Sequence, residues 1–221
     1  MLMAHSALKL AQSNQMLITM SVQLFYIYDT HCPWSYVTLP LVNEIMAAHP
    51  EFTLNLLHCA RYEGDENISK KTIETIEDDS ATIFSDAYMA QLKQAKDSTL
   101  TANVMSWVSN KVPHIGLEVL NALFKAHFEQ ANELRSFDDM SDIVSEFKLS
   151  PPNKVFTLEK FTKDAEILLS SLEELQDIMG TKAIPALLLA IDERLILLNH
   201  NFYLKHPKAI VEAVELELAN G

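Results

Sequence analysis

Val22-Gln23-Leu24-Phe25-Tyr26-Ile27-Tyr28 leads through Asp29-Thr30-His31 into Cys32-Pro33-Trp34-Ser35. The first seven residues are rich in β-branched and aromatic side chains and stop at Asp29-Thr30, the pattern of a buried strand. Pro33 then opens a helical stretch carrying Tyr36, Val37, Pro40, Leu41 and Ile45, which His49-Pro50 ends. Proline suits a first helical turn because the N–H it lacks would have had no partner there. Residues 52–57 supply a second strand. A β-α-β unit over residues 22–58 favours a parallel pair, since parallel strands need a crossover of this length.

From residue 68 to about residue 149 the pattern is helical throughout, with Ile83, Phe84, Ala87 and Leu92 and then Leu117, Leu120, Phe124 and Phe128 at helical spacing. Within this block Glu77-Asp78-Asp79 is expected to be a solvated helix start. Ser150-Pro151-Pro152-Asn153 closes the block. A further helix carries Ile167, Leu168, Leu172, Leu175, Ile178 and Met179, and Gly180 caps it. Two short strands, 186–191 and 195–198, follow as a hairpin joined by Asp192-Glu193-Arg194. Pro207 opens a last helix that runs to about residue 219. Without the middle block the order is β-α-β then α-β-β-α, the arrangement of a thioredoxin-like domain. The expected organisation is therefore an α/β, thioredoxin-like fold over residues 20–62 and 153–221, with a large α-helical insertion at 63–152.

At 48% apolar and 21% charged residues, a chain of 221 residues has the composition of a globular protein that needs no disulfide staples. Its four glycines lie tens of residues apart, so no Gly-rich phosphate cradle can be assembled. The formal charge of −13 argues against nucleic acid and anionic membranes as partners. Two cysteines make no disulfide framework and suit a reducing compartment. The first 20 residues hold a polar break at Gln12-Ser13-Asn14-Gln15 where a secretory leader needs an apolar run. A cytoplasmic location is expected, with Met16 or Met20 as alternative starts.

A cysteine where a strand turns into a helix faces unpaired backbone N–H groups and the positive end of the helix dipole, which favour thiolate over thiol. Cys32 is thus the candidate nucleophile; the alternative is a half-buried cysteine that only caps a helix. Ser35, one turn on, is placed to hydrogen-bond the sulfur or is simply a tolerated small residue. His31 is placed to stabilise a thiolate or to be a solvated loop residue, and Trp34 to wall a substrate groove or simply to pack. Pro185, in Gly180-Thr181-Lys182-Ala183-Ile184-Pro185, stands where proline starts a strand or makes a special turn. Thr181 and Lys182 could hold a ligand carboxylate or lie free on the surface. Cys59, beside His58, is a packing cysteine or a remote second thiol. No C-x-x-C or H-x-x-x-H spacing supports a metal site.

The Cys32-Pro33-Trp34-Ser35 placement and the Ile184-Pro185 pair together resemble the DsbA-like branch of the thioredoxin superfamily. The resemblance runs from about residue 22 to residue 219 and is nearest to FrnE-like proteins, 2-hydroxychromene-2-carboxylate isomerases and kappa-class glutathione transferases. Leu123-Phe124-Lys125-Ala126-His127-Phe128 resembles the family's LFxAxF helix, and residues 180–185 its GVxGVP segment. The resemblance implies that Cys32 attacks the substrate, with Ser35 as its catalytic neighbour. It also implies that Pro185 is cis against the sulfur and that the backbone before it pairs with substrate. His31, Pro33, Trp34, Ile184 and Pro185 are the expected substrate-contacting residues.

Two departures from the family set the functional expectation. Disulfide-exchanging relatives carry C-P-W-C, and Ser35 stands in place of the second cysteine; exchange must then pass through mixed disulfides resolved by an outside thiol. Isomerase and transferase relatives carry a hydroxyl where Cys32 stands. The expected function is an intracellular thiol-disulfide oxidoreductase or isomerase acting through one cysteine. The alternative is a glutathione-dependent isomerase or transferase for a small aromatic substrate. No bound cofactor is expected, glutathione is the expected co-substrate, a disulfide-bearing protein or glutathione the partner, and kappa-class relatives leave room for a homodimer.

Overall fold

The structure, a computed structural model, describes residues 22–157 and 159–220. The alternative starts at Met16 and Met20, and the outermost residues of the expected domain, lie outside the described residues. Strand β1 (Val22–Tyr28) leads into helix α1 (Pro33–Ala48) and strand β2 (Thr53–His58). A short strand β3 (Glu63–Glu66), helices α2 (Lys70–Asp79) and α3 (Asp86–Ala90), and strand β4 (Lys96–Asp97) follow. Helices α4 (Thr99–Lys111), α5 (Gly116–Phe124) and α6 (Phe137–Glu146) complete the helical insertion. The chain returns through α7 (Lys163–Met179), strands β5 (Ala186–Ile191) and β6 (Arg194–Leu198), and α8 (Ile210–Ala219).

The main sheet has the order β2-β1-β5-β6. β1 and β2 are parallel, with Tyr28 opposite His58, while β5 runs antiparallel to β1 with Ile27 opposite Ala186. This register brings the end of β1, the end of β2 and the start of β5 to one edge of the sheet. The Cys32 loop, Cys59 and Pro185 all leave the sheet there.

Alternation along β1 sorts its side chains between two layers. Leu24, Tyr26 and Tyr28 pack with Val37, Leu41 and Ile45 of α1 and with the insertion, whereas Ile27 packs with Leu172 of α7 and with Leu188. Each such fully buried side chain contributes roughly 1.5–3 kcal/mol relative to exposure. Gly180 adopts φ 67°, the left-handed conformation that ends α7.

The block expected to be helical throughout departs from that pattern at its base, where β3 and β4 pair antiparallel as a two-stranded ribbon. Such short polar strands carry no period that a sequence pattern can register. Glu77-Asp78-Asp79 also ends a helix rather than starting one: Ser69 caps α2 by accepting the Thr72 N–H at 3.1 Å, so the acidic run falls at its C-terminal end.

Candidate active site

Cys32 is the N-cap residue of α1, with φ −85° and ψ 115°. Its N–H donates to the Asp29 carbonyl at 3.2 Å, and its own carbonyl accepts the Tyr36 N–H at 3.1 Å. Both bonds follow from proline at the first helical position, which starts the helix and leaves the preceding residue extended. Only 6% of Cys32 is exposed. That burial corrects the expectation of a ready thiolate: desolvation pushes the thiol above its ordinary value, and the buried Asp29 carboxylate adds to the effect. The Ser35 N–H and hydroxyl and the Trp34 N–H oppose it by hydrogen bonding that favours the charged sulfur.

Asp29 organises the loop. It is fully buried, and its carboxylate accepts the His31 N–H at 2.8 Å, the Ser98 hydroxyl at 2.8 Å and the Arg61 N–H at 2.7 Å. Its own N–H donates to Ser35 Oγ at 3.2 Å, and the Tyr26 hydroxyl donates to the Ser35 carbonyl. Burial alone would raise the Asp29 carboxyl, but the charge of His58 and the hydrogen bonds and charge of His31 hold it well below the carboxylate range. His58 accepts the Ala60 N–H on Nδ1 at 3.0 Å, and its Nε2 lies 3.0 Å from Thr30 Oγ1. Burial, with a contribution from His31, pushes His58 down to about 4 against the pull of Asp29, so it is neutral at neutral pH.

His31 is not where a substrate-contacting residue must be. It is fully buried, its Nε2 donates to the Glu133 carbonyl at 3.2 Å, and its ring meets His127 edge-on at 4.7 Å. The insertion covers it, which no local sequence signal reveals. Pro33 is likewise buried under the first turn of α1. His127 lies in a π-helical turn, Lys125–Glu129, that extends α5, and its Nδ1 donates to the Asn132 carbonyl at 2.7 Å. Its Nε2 and the Tyr88 hydroxyl are buried without a hydrogen-bond partner among the described residues. Asp29, His58, Ser98 and Tyr88 carry no motif; His127 falls inside the LFKAHF segment, so a signal for it existed.

The Ile184–Pro185 bond is cis. Ile184, Pro185, Thr181 and Trp34 line a cavity of about 780 Å³, joining the first and second sequence motifs at one opening. Cys32 is not among its lining residues; it sits two positions before Trp34, in the buried cluster against which Trp34 and Ile184 pack. Cys59 lies on the other face of the sheet, packed with Ile27, Leu172 and Leu188, where burial pushes its thiol well above the ordinary value. Both cysteines are free thiols. Cys59, Arg61, Gln176 and Lys182 line a second cavity of about 320 Å³, so Thr181 and Lys182, adjacent in sequence, face different cavities. Among the described residues no three His, Cys, Asp or Glu side chains converge as metal ligands do, and no helix is long and apolar enough to cross a membrane.

No family model matches the sequence, and no curated protein matches it. Solved structures do match. The cytosolic disulfide reductase DsbM from Pseudomonas aeruginosa superposes with a TM-score of 0.76 at 17% identity, over 90% of this chain and 100% of that one. Its structure with GSH gives 0.72 at 16% identity, over 89% and 99%. A candidate protein disulfide isomerase from Nitrosomonas europaea gives 0.68 at 13% identity, over 90% and 98%. A proposed DsbA oxidoreductase from Streptomyces coelicolor gives 0.60 at 12% identity, over 90% and 91%. At such identities the likeness is one of architecture, and it agrees with the element order, the sheet topology and the cis proline: the chain has a thioredoxin-like fold with a helical insertion, similar to that of these DsbA-like structures.

Proposed function

We propose that the protein is an intracellular thiol-disulfide oxidoreductase or isomerase that works through Cys32 alone. The observation that carries the reading is a free cysteine at the N-cap of α1, at the same sheet edge as a cis Ile184–Pro185 that borders an open cavity with Trp34. Cys32 gives up its proton, and the thiolate attacks one sulfur of a substrate disulfide. That bond breaks, Cys32 is joined to one half in a mixed disulfide, and the other half leaves as a thiolate that takes up a proton. The N–H groups of Ser35 and Trp34 and the helix dipole stabilise the sulfur as attacker and later as leaving group.

Ser35 supplies no second sulfur, so release follows one of two balanced routes. A second thiol of the same substrate attacks the adduct, which isomerises the disulfide without net redox change. Otherwise two outside low-molecular-weight thiols, such as glutathione, reduce the substrate and are themselves oxidised to their disulfide. On this reading the location is the cytoplasm, glutathione is the co-substrate and a disulfide-bearing protein the partner. The test is intact mass after mixing reduced protein with a peptide disulfide or glutathione disulfide. A single adduct mapped to Cys32, absent from Cys32→Ser together with turnover, is expected. Exchange that persists in Cys32→Ser, or glutathione bound without any adduct, overturns the reading in favour of a non-covalent glutathione-dependent activity.

A further inference from the structure

We infer that the cavity beside Ile184–Pro185 receives the cysteine-bearing segment of a polypeptide with a basic side chain next to the disulfide, and that Asp79 selects that positive charge. The inference rests on Cys32 as the exchanging thiol. Much of the cavity wall is apolar, with Trp34, Pro185, Leu198 and Leu204 among its residues. One carboxylate stands against it: Asp79, the exposed last residue of α2, which enters the wall from the insertion. No described lysine or arginine pairs with Asp79, and none lines this cavity. Among the described residues the one there able to become a cation is His200, and burial pushes it down against the pull of the Leu198 carbonyl.

A ligand with two carboxylates and one ammonium, as in each half of glutathione disulfide, finds no cation here to receive its excess charge. The nearest candidate by sequence, Lys182, lines the cavity on the other side of Ile184. A neutral or cationic peptide segment meets no such penalty, and the overall formal charge of −13 reinforces its attraction. Glutathione is then the thiol that resolves the adduct from solution, without a seat of its own in this cavity.

The test compares three disulfides in single turnover with reduced full-length protein: two symmetric peptide disulfides with Lys or with Glu beside the cysteine, and glutathione disulfide. Adduct formation on Cys32, with release of one substrate thiol, is followed by intact mass with no added reductant. The lysine peptide should react about tenfold faster than the glutamate peptide at low salt, with the gap closing at high salt. Asp79→Asn should bring the two peptides to within about twofold, chiefly by slowing the lysine peptide. Equal rates in the native protein, a faster glutamate peptide or glutathione disulfide, or a lysine preference that survives Asp79→Asn overturns the assignment. Failure of the underlying reading appears separately, as adducts that still form in Cys32→Ser.

Discussion

The Ser98 hydroxyl donates to Asp29 Oδ1 at 2.8 Å across 69 residues of sequence, tying the start of α4 in the insertion to the loop that presents Cys32. Arg61, beyond β2, meets the other oxygen of the same carboxylate through its N–H. One buried side chain thus fixes three segments around the thiol, and hydrogen-bond donors together with the His58 and His31 rings stabilise its charge. The loop geometry of the candidate site belongs to the whole fold and not to the C-P-W-S motif alone.

Asp29→Asn separates the two roles of this carboxylate. Its amide N–H₂ must face at least one of the donors that Asp29 now accepts, which should destabilise the fold by about 1–3 kcal/mol in urea unfolding. Removing the negative charge that raises the Cys32 thiol acts in the opposite sense on reactivity. Alkylation of Cys32 at neutral pH should rise, roughly threefold, as the thiolate is favoured. Slower alkylation in a folded variant would show that Asp29 does not repel the sulfur.

Acid should weaken the fold well above the range where carboxylates titrate. His58 is pushed down to about 4 in the folded chain, from an unfolded value of 6.5, chiefly by burial. Between these values the unfolded chain binds more protons, so stability is full above the unfolded value and falls as the pH drops from about 6.5 to about 4. The contribution at stake is about 3 kcal/mol for this one ring. His127, lowered by burial and by the charge of His31, acts in the same direction. Asp29 has the same sign of linkage in a lower window: its depressed value adds stability above the unfolded carboxyl range, and that stability is lost only in stronger acid. Urea midpoints measured across this window should fall steadily, and less steeply in His58→Gln. A flat profile would mean that the buried rings do not titrate on unfolding.

The strand before Cys32, the helix after Pro33 and the hairpin after Pro185 were legible because each is marked by its own period or punctuation. Gly180 in its left-handed conformation is a clear case, since the local chain has to reverse there. Asp29 and Ser98 left no trace, because a buried acceptor and its donor lie 69 residues apart and obey no period. His31 beside Cys32 invited a role at the substrate, and only the folded insertion shows it enclosed by Glu133 and His127. The ribbon of β3 and β4 is too short and polar to carry a signal. Long-range burial, then, is what the linear text withheld, and it works against the thiolate that the helix start alone would favour.

Ser35→Ala removes a hydroxyl that accepts the Asp29 N–H at 3.2 Å and that favours charge on Cys32. An unpaired buried N–H costs about 1–3 kcal/mol, so a lower urea midpoint is expected. The Cys32 thiol should move further up, and its alkylation at fixed pH should slow by about twofold to fivefold, the effect of losing one modest hydrogen bond. Ser35→Thr, which keeps the hydroxyl, should restore the alkylation rate more than the stability, because Ser35 is fully enclosed and an added methyl must be accommodated. A rate unchanged in Ser35→Ala would assign the serine to packing alone.

The two free thiols offer an internal comparison of burial with local donors. Cys59 has the larger exposure of the two, yet burial and the Asp29 carboxylate, with Cys32 adding when it is ionised, push its thiol well up, with only backbone N–H groups to oppose them. Cys32 is more enclosed but has the first turn of α1 pointing at it, with the Ser35 hydroxyl besides. If donors outweigh exposure, as the helix N-terminus argues, Cys32 should be alkylated faster than Cys59 at every pH. Because both thiols lie above the ordinary value, neither rate should level off near neutrality. Each should climb about tenfold per pH unit until its thiol is largely ionised. Peptide mass spectrometry after timed alkylation reads both residues in one sample. A Cys32 rate that is already flat at neutral pH would show that the helix N-terminus overcomes burial outright, and one slower than Cys59 would show that access, not ionisation, governs the site.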